Sequence, residues 1–230
     1  GFALNPTSCE ARAVTVTLTS TDGAVANPTN RFQAKGCEKL RFKPKLALHL
    51  LNGLARNRHP VLRAVLRAGS GEAAIAAATV TLPAGELLDL HRLPALCARE
   101  LPPELCPPSS RLGEARVWSP LLSEPLEGPI YLRAPSGQFP DLLADLRGAG
   151  LHFVLHGRTS APSRRLRIHF PDLPDTPFTK AQFTFAGGRR GVIVNSEALC
   201  GRSRRATVDF SAHNNSLIRL RPLLHLRGRC

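Results

Sequence analysis

Two stretches of the chain alternate apolar and polar residues with a period of two. Val14, Val16 and Leu18 are spaced by Thr15, Thr17 and Thr19, and Ala206, Val208 and Phe210 by Thr207, Asp209 and Ser211. That period puts one side of a segment toward a core and marks β-strands. Phe183 and Phe185 on one side of "AGGRRG", and Val192 to Val194 on the other, read as a hairpin whose glycines are free to take positive φ. Twenty prolines argue against long helices. Only Gly85–Leu96 has a helical spacing, and the segment it aligns with reads as strand, so strand or irregular structure is expected there. "PDLLADLRGAG" reads as a short helical turn.

The apolar pattern also repeats. Thr79–Cys97, "TVTLPAGELLDLHRLPALC", lies over Gln182–Cys200, "QFTFAGGRRGVIVNSEALC", without a gap. Extended backwards, the register sets Val65 on Ile168, Ile75 on Phe178 and Ala78 on Ala181. After a slip, Leu46–Gly53 meets Leu151–Gly157. Past the cysteine, "ARVWS" from Ala115 meets "ATVDFS" from Ala206. Self-similarity of this kind signals a repeat architecture. A period of about 100 residues filled with short strands predicts an all-β chain of two tandem β-sandwiches of immunoglobulin-like size. The expected division is 40–143 and 144–214. Residues 1–39 then read as the closing strand of a partial copy, "CEARAVTVTLTS". Residues 215–230 read as the opening strand of another, "IRLRPLLHLRG", which is similar to "LRFKPKLALHLLNG".

Partial copies at both ends predict assembly. An unpaired strand edge recruits other strands, and a head-to-tail contact that does not close a ring grows a filament. The expected interface joins Val14, Val16 and Leu18 of one subunit to Leu220, Leu224 and Leu226 of the next.

Composition narrows the partner. Hydrophobic residues make up 43% of the chain and the formal net charge is +14. No apolar run is long enough to span a bilayer. The charge points to an anionic partner such as a wall polymer or an acidic glycan. Aromatics at 5%, and arginines spread rather than clustered, argue against nucleic acid. Six cysteines, none in a Cys-x-x-Cys pair, suit disulfides in an oxidising compartment. Neighbour pairing gives Cys9–Cys37, Cys97–Cys106 and Cys200–Cys230, although spacing alone leaves the connectivity open. Met is absent and no signal peptide is visible, so a chain processed from a longer precursor is expected.

The motifs "NPTSC", "FKPKLAL", "HPVLRAVL", "VTLP", "PLLSEPLEGPIYLR", "PDLLADLRG" and "GVIVNS" together resemble large secreted proteins of actinobacteria. The resemblance covers nearly the whole chain. It implies an extracellular protein of tandem β-domains, made as a longer precursor, and it brings no catalytic residues. The proline-rich stretch "ARELPPELCPPSSRLG" departs from the pattern.

Candidate chemistry is sparse. His49, His152 and His225 occupy matched positions, but no carboxylate keeps a fixed spacing to them, so an architectural role is expected. His169, Asp172 and Asp175 in "HFPDLPDTPFT" could begin an oxygen-rich cation loop. Such a site needs six or more oxygens, and Asp-x-Pro is a turn former. Gly-x-Ser-x-Gly and His-Glu-x-x-His are both absent. Glu114, Glu124, Glu127 and Asp141 are scattered rather than paired as a glycosidase requires. Trp118 could be a contact residue or could lie under the "PLLSEPLEGP" connection, and the covered reading is preferred. The sequence therefore predicts a non-enzymatic extracellular structural protein without a cofactor or metal. The alternative is a monomeric binding module for an acidic polymer or glycan.

Overall fold

The computed structural model describes residues 4–93, 95–201 and 203–228. The chain is all-β. Its strands are β1 (Ala11–Thr15), β2 (Leu18–Thr19), β3 (Val25–Ala26), β4 (Thr29–Gln33), β5 (Lys45–Leu51), β6 (Val61–Arg67), β7 (Ile75–Thr81), β8 (Glu86–Leu88), β9 (Arg111–Trp118), β10 (Leu126–Arg133), β11 (Asp141–Gly148), β12 (Leu151–Ser160), β13 (Arg167–Phe170), β14 (Lys180–Phe185), β15 (Ile193–Asn195), β16 (Thr207–Ala212), β17 (Leu217–Leu220) and β18 (Leu224–Arg227). Twelve of them form one curled sheet in the order β17-β16-β7-β13-β12-β11-β10-β9-β14-β6-β5-β18. β1 pairs with β4, β2 with β3, and β8 with β15 in separate two-stranded ladders.

This order replaces the expected tandem sandwiches. β14 of the 144–214 stretch lies between β6 and β9 of the 40–143 stretch. β7 of the 40–143 stretch lies between β13 and β16 of the other. One half of the sheet reads β5-β6-β14-β9-β10 and the other β12-β13-β7-β16-β17, with β11 joining them. Each half thus takes its middle strand from the part of the sequence that supplies most of the other half. The β8–β15 ladder links the two loops that follow the exchanged strands.

Pairing also corrects the alignment. Ala181 faces Leu66 and Val117 across its two ladders, and Ala78 faces Phe170 and Phe210. Ala78 and Ala181 remain equivalent, as the sequence sets them. Val65 and Ala115, in contrast, are displaced from the partners the alignment assigned. The curl brings the halves face to face. Leu66, Ile75, Ala78, Ala181, Val208 and Phe210 form one buried cluster where they meet. Two alanines on the exchanged strands leave room for the Phe and Leu side chains opposite them, as close packing requires.

The stretch expected to turn as a helix, Pro140–Gly150, is strand β11 followed by a tight hairpin. Ala149 and Gly150 both have positive φ (50° and 74°), and Gly148 pairs with Leu151 across them. Two successive positive φ values define the turn that matches strand twist. The strand shows no alternation in the sequence because β11 is buried on both sides. Leu142, Ala144 and Leu146 join the main core, while Leu143 packs with Cys97 and Cys106. A strand covered on both faces loses its alternation. The expected hairpin across "AGGRRG" does not form either: β15 pairs with β8, not with β14.

The ends differ from the open strands expected of them. β1 and β4 form a ladder whose residues are all exposed, so the alternation at Val14 faces no core. The C-terminal stretch folds back on its own chain, with β17 antiparallel to β16 and β18 parallel to β5.

Candidate functional site

The cysteines bond largely as neighbour pairing predicts. Cys9 bonds Cys37 and Cys97 bonds Cys106. Cys200 is also disulfide-bonded, and Cys230 lies outside the described residues. The Cys9–Cys37 bridge staples the exposed β1–β4 arm to the body. Thr7 and Ser8 anchor the same segment by donating to the carboxylate of Asp175 (Thr7 N to Oδ2 2.9 Å, Thr7 Oγ1 to Oδ1 2.6 Å, Ser8 N to Oδ2 3.1 Å). Asp175 is thus an anchor for the arm. His169, from the same sequence loop, instead meets Thr79 Oγ1 at 2.9 Å.

The six expected assembly residues separate into two groups. Val14, Val16 and Leu18 are 53%, 44% and 55% exposed, with Val25 and Phe32 of the same arm also uncovered. Leu224 is buried in the main core, and Leu226 packs against that core. Leu220 packs against the cluster between the halves. The exposed apolar residue of the C-terminal stretch is Leu217, on the open edge of β17.

Two of the three matched histidines meet. His49 and His225 are paired across β5 and β18, their rings stacked at 5.0 Å. Burial, then the positive neighbours His225, Arg227 and Arg63, lower the His49 pKa. His152 lies elsewhere, 2.5 Å from the buried Asp145. Among the scattered carboxylates, Glu114 pairs with Arg111, Glu127 with Arg116 and Asp141 with Arg99.

Sequence reasoning missed a row of cations on the outer face of the sheet. Lys45 lies opposite Arg67, Arg67 opposite Lys180, and Lys180 opposite Trp118. The Lys180 ammonium sits 4.1 Å from the centroid of the half-buried Trp118 ring, and the Arg116 guanidinium 5.9 Å from it. Among the described residues, no carboxylate pairs with Lys45, Arg67 or Lys180. Like charges directly opposite destabilise a sheet. Each of the three falls at an outward position of its strand, but only the strand order shows that they form a row.

A buried polar cluster was also missed. Glu86 and Asn195 are paired directly across the β8–β15 ladder, and both are fully buried. Asn195 Nδ2 donates to Gly53 O (2.7 Å) and Ala55 O (3.1 Å). Its Oδ1 and both Glu86 oxygens have no hydrogen-bond partner in the protein. Burial pushes the Glu86 pKa up to about 7, against an opposing pull from Arg204. Arg204 is itself held by Ala84 O (2.5 Å) and Glu197 (3.1 Å). A second dyad, His59 Nε2 to Asp89 Oδ2 at 2.9 Å, is also largely buried. The hydrogen bond from His59 holds the Asp89 pKa below the usual carboxylate range.

No family model, curated protein or solved structure matches this chain.

Proposed function

We propose that the chain is an extracellular structural protein whose subunits join head to tail by strand addition. The carrying observation is the arm Ala11–Gln33: a ladder with no residue buried, displaying Val14, Val16, Leu18, Val25 and Phe32. A two-stranded ladder without cover is marginal by itself in water. Its complement is at the other end of the chain. β17 and β18 are the outermost strands of the sheet, so residues 217–227 hold both open edges, with Leu217 exposed beside one. The arm of one subunit adds to β17 of the next, and strand addition of this kind is a general recognition mode. Disulfides and the absence of any membrane-crossing helix among the described residues fit such a setting. Because Leu224 and Leu226 pack in the subunit's own core, the proposed interface uses the exposed Leu217 instead.

The test is sedimentation and negative-stain imaging of the full chain beside Val14→Lys/Val16→Lys and Leu217→Lys. Both variants should remain monomeric with unchanged melting temperature, because every substituted residue is exposed. A full chain that stays monomeric at all concentrations, or variants that polymerise like the parent, refutes the proposal.

The cation row favours a second reading, a module for an acidic polymer. Three unpaired cations in line, ending on an indole, suit a polyanion with an apolar face. Lys180→Glu should then weaken binding to a polyanion such as polyphosphate and flatten its salt dependence.

A further inference from the structure

An apolar pocket of about 170 Å³, open on one side, lies against the curled sheet. Its walls include Leu66, Val117, Phe153, Leu155, Ala181 and Phe183, from strands of both halves. Ser119, a polar residue of the lining, donates to Pro177 O (2.8 Å) and accepts from Leu121 N (3.2 Å). Its hydroxyl is therefore committed to the surrounding backbone. A buried cavity of about 150 Å³ lined by Leu, Ile and Phe stays dry and takes up benzene, and this pocket has a comparable volume and lining.

The cavity has an exit. Leu121, Thr176, Pro177 and Phe178 line both it and a wider cleft between the arm and the body. Leu121 is half exposed. Arg12, Phe32 and Lys35 line the cleft, with Arg12 directly opposite Phe32 in the β1–β4 ladder. The acids of the cleft are already engaged. Asp175 accepts from Thr7 and Ser8, and Glu72 accepts from Lys43 N (3.3 Å) and Gly69 N (3.1 Å). Among the described residues, neither Arg12 nor Lys35 has an ion-pair partner.

We infer that this cavity and its cleft bind a single-chain amphiphile, with the alkyl tail among Leu66, Phe153 and Phe183 and a carboxylate head at Arg12 and Lys35. A chamber lined almost wholly by apolar side chains selects the tail by burial. Two cations without ion-pair partners in the adjoining cleft favour a negative head over a neutral one. The inference concerns the single subunit and does not depend on assembly.

The experiment is calorimetric titration of the full chain with decanoate and with 1-decanol. Decanoate should bind saturably, and 1-decanol more weakly. Arg12→Ala/Lys35→Ala should weaken decanoate by roughly tenfold, as two exposed ion pairs allow, and leave 1-decanol unchanged. Ala181→Leu, which narrows the chamber, should abolish both, with a lower melting temperature because it also crowds Leu66 and Val117. Competition between benzene and decanoate on the parent chain tests the same point independently of how that variant folds. Absence of saturable decanoate binding, failure of decanoate to displace benzene, or equal affinity for acid and alcohol overturns the proposal.

Discussion

Replacing Glu86 by Gln tests the buried cluster between the two copies. Glu86 is fully buried and neither carboxylate oxygen has a partner, so its charged form is strongly disfavoured. Its pKa rises from an ordinary 4.5 to about 7. Each tenfold change in proton affinity corresponds to about 1.4 kcal/mol. Unfolding releases the proton held by the native state, so stability falls as pH climbs from 4.5 through 7 and is about 3 kcal/mol lower above that range. Gln removes the ionisation and keeps the shape. It also supplies N–H donors to a pocket where Asn195 Oδ1 lacks a partner. Urea unfolding of parent and variant from pH 5 to 8.5 reads the effect. The variant should gain on the parent by about 3 kcal/mol across that interval. Taking the difference matters, because the lowered pKa of His49 acts in the opposite sense: its stability contribution is lost as pH falls. A difference that stays flat with pH refutes the reasoning.

Asn195→Ala strips the donors from Gly53 O and Ala55 O and should cost roughly 2 kcal/mol in chemical denaturation, the range for leaving buried acceptors unpaired. Asp89→Asn should cost about 1 kcal/mol at pH 7, through the lost charge facing His59. That cost should vanish on acidification, because a depressed carboxyl pKa stabilises only above the carboxylate range. Cys97→Ser/Cys106→Ser opens a short loop and should cost about 3 kcal/mol, measured by guanidinium unfolding of both proteins.

The sequence made the fold class legible where a strand has one wet and one dry face. At Thr207–Ala212 the alternation is Val208, Phe210 and Ala212 buried against half-exposed neighbours. The same period at Val14 misled about burial, because alternation reports two unlike faces and not what covers them. β11 was misread because both its faces are covered, which hides the period of two. The expected repeat set Ala78 against Ala181, but likeness cannot reveal that β7 and β14 trade places. The cation row follows from that exchange: Lys180 reaches Arg67 and Trp118 only because β14 lies between β6 and β9. The cavity depends on how the halves curl together, and no local pattern encodes that. Cysteine spacing succeeded because the Cys9–Cys37 and Cys97–Cys106 links are local.

The exchange of β7 and β14 has a kinetic consequence. β7 finds its neighbours only when β13 and β16 have been made, on the far side of the β9–β12 segment. β6 cannot gain its second neighbour until β14 exists. Pairings so distant along the chain carry a large loop-closure cost before they return any contact, which slows folding. Through that interval Ile75–Thr81 is an apolar strand with both edges open, the kind of species that aggregates. Such a chain gathers its core late and all at once, so neither copy can serve as a finished template for the other.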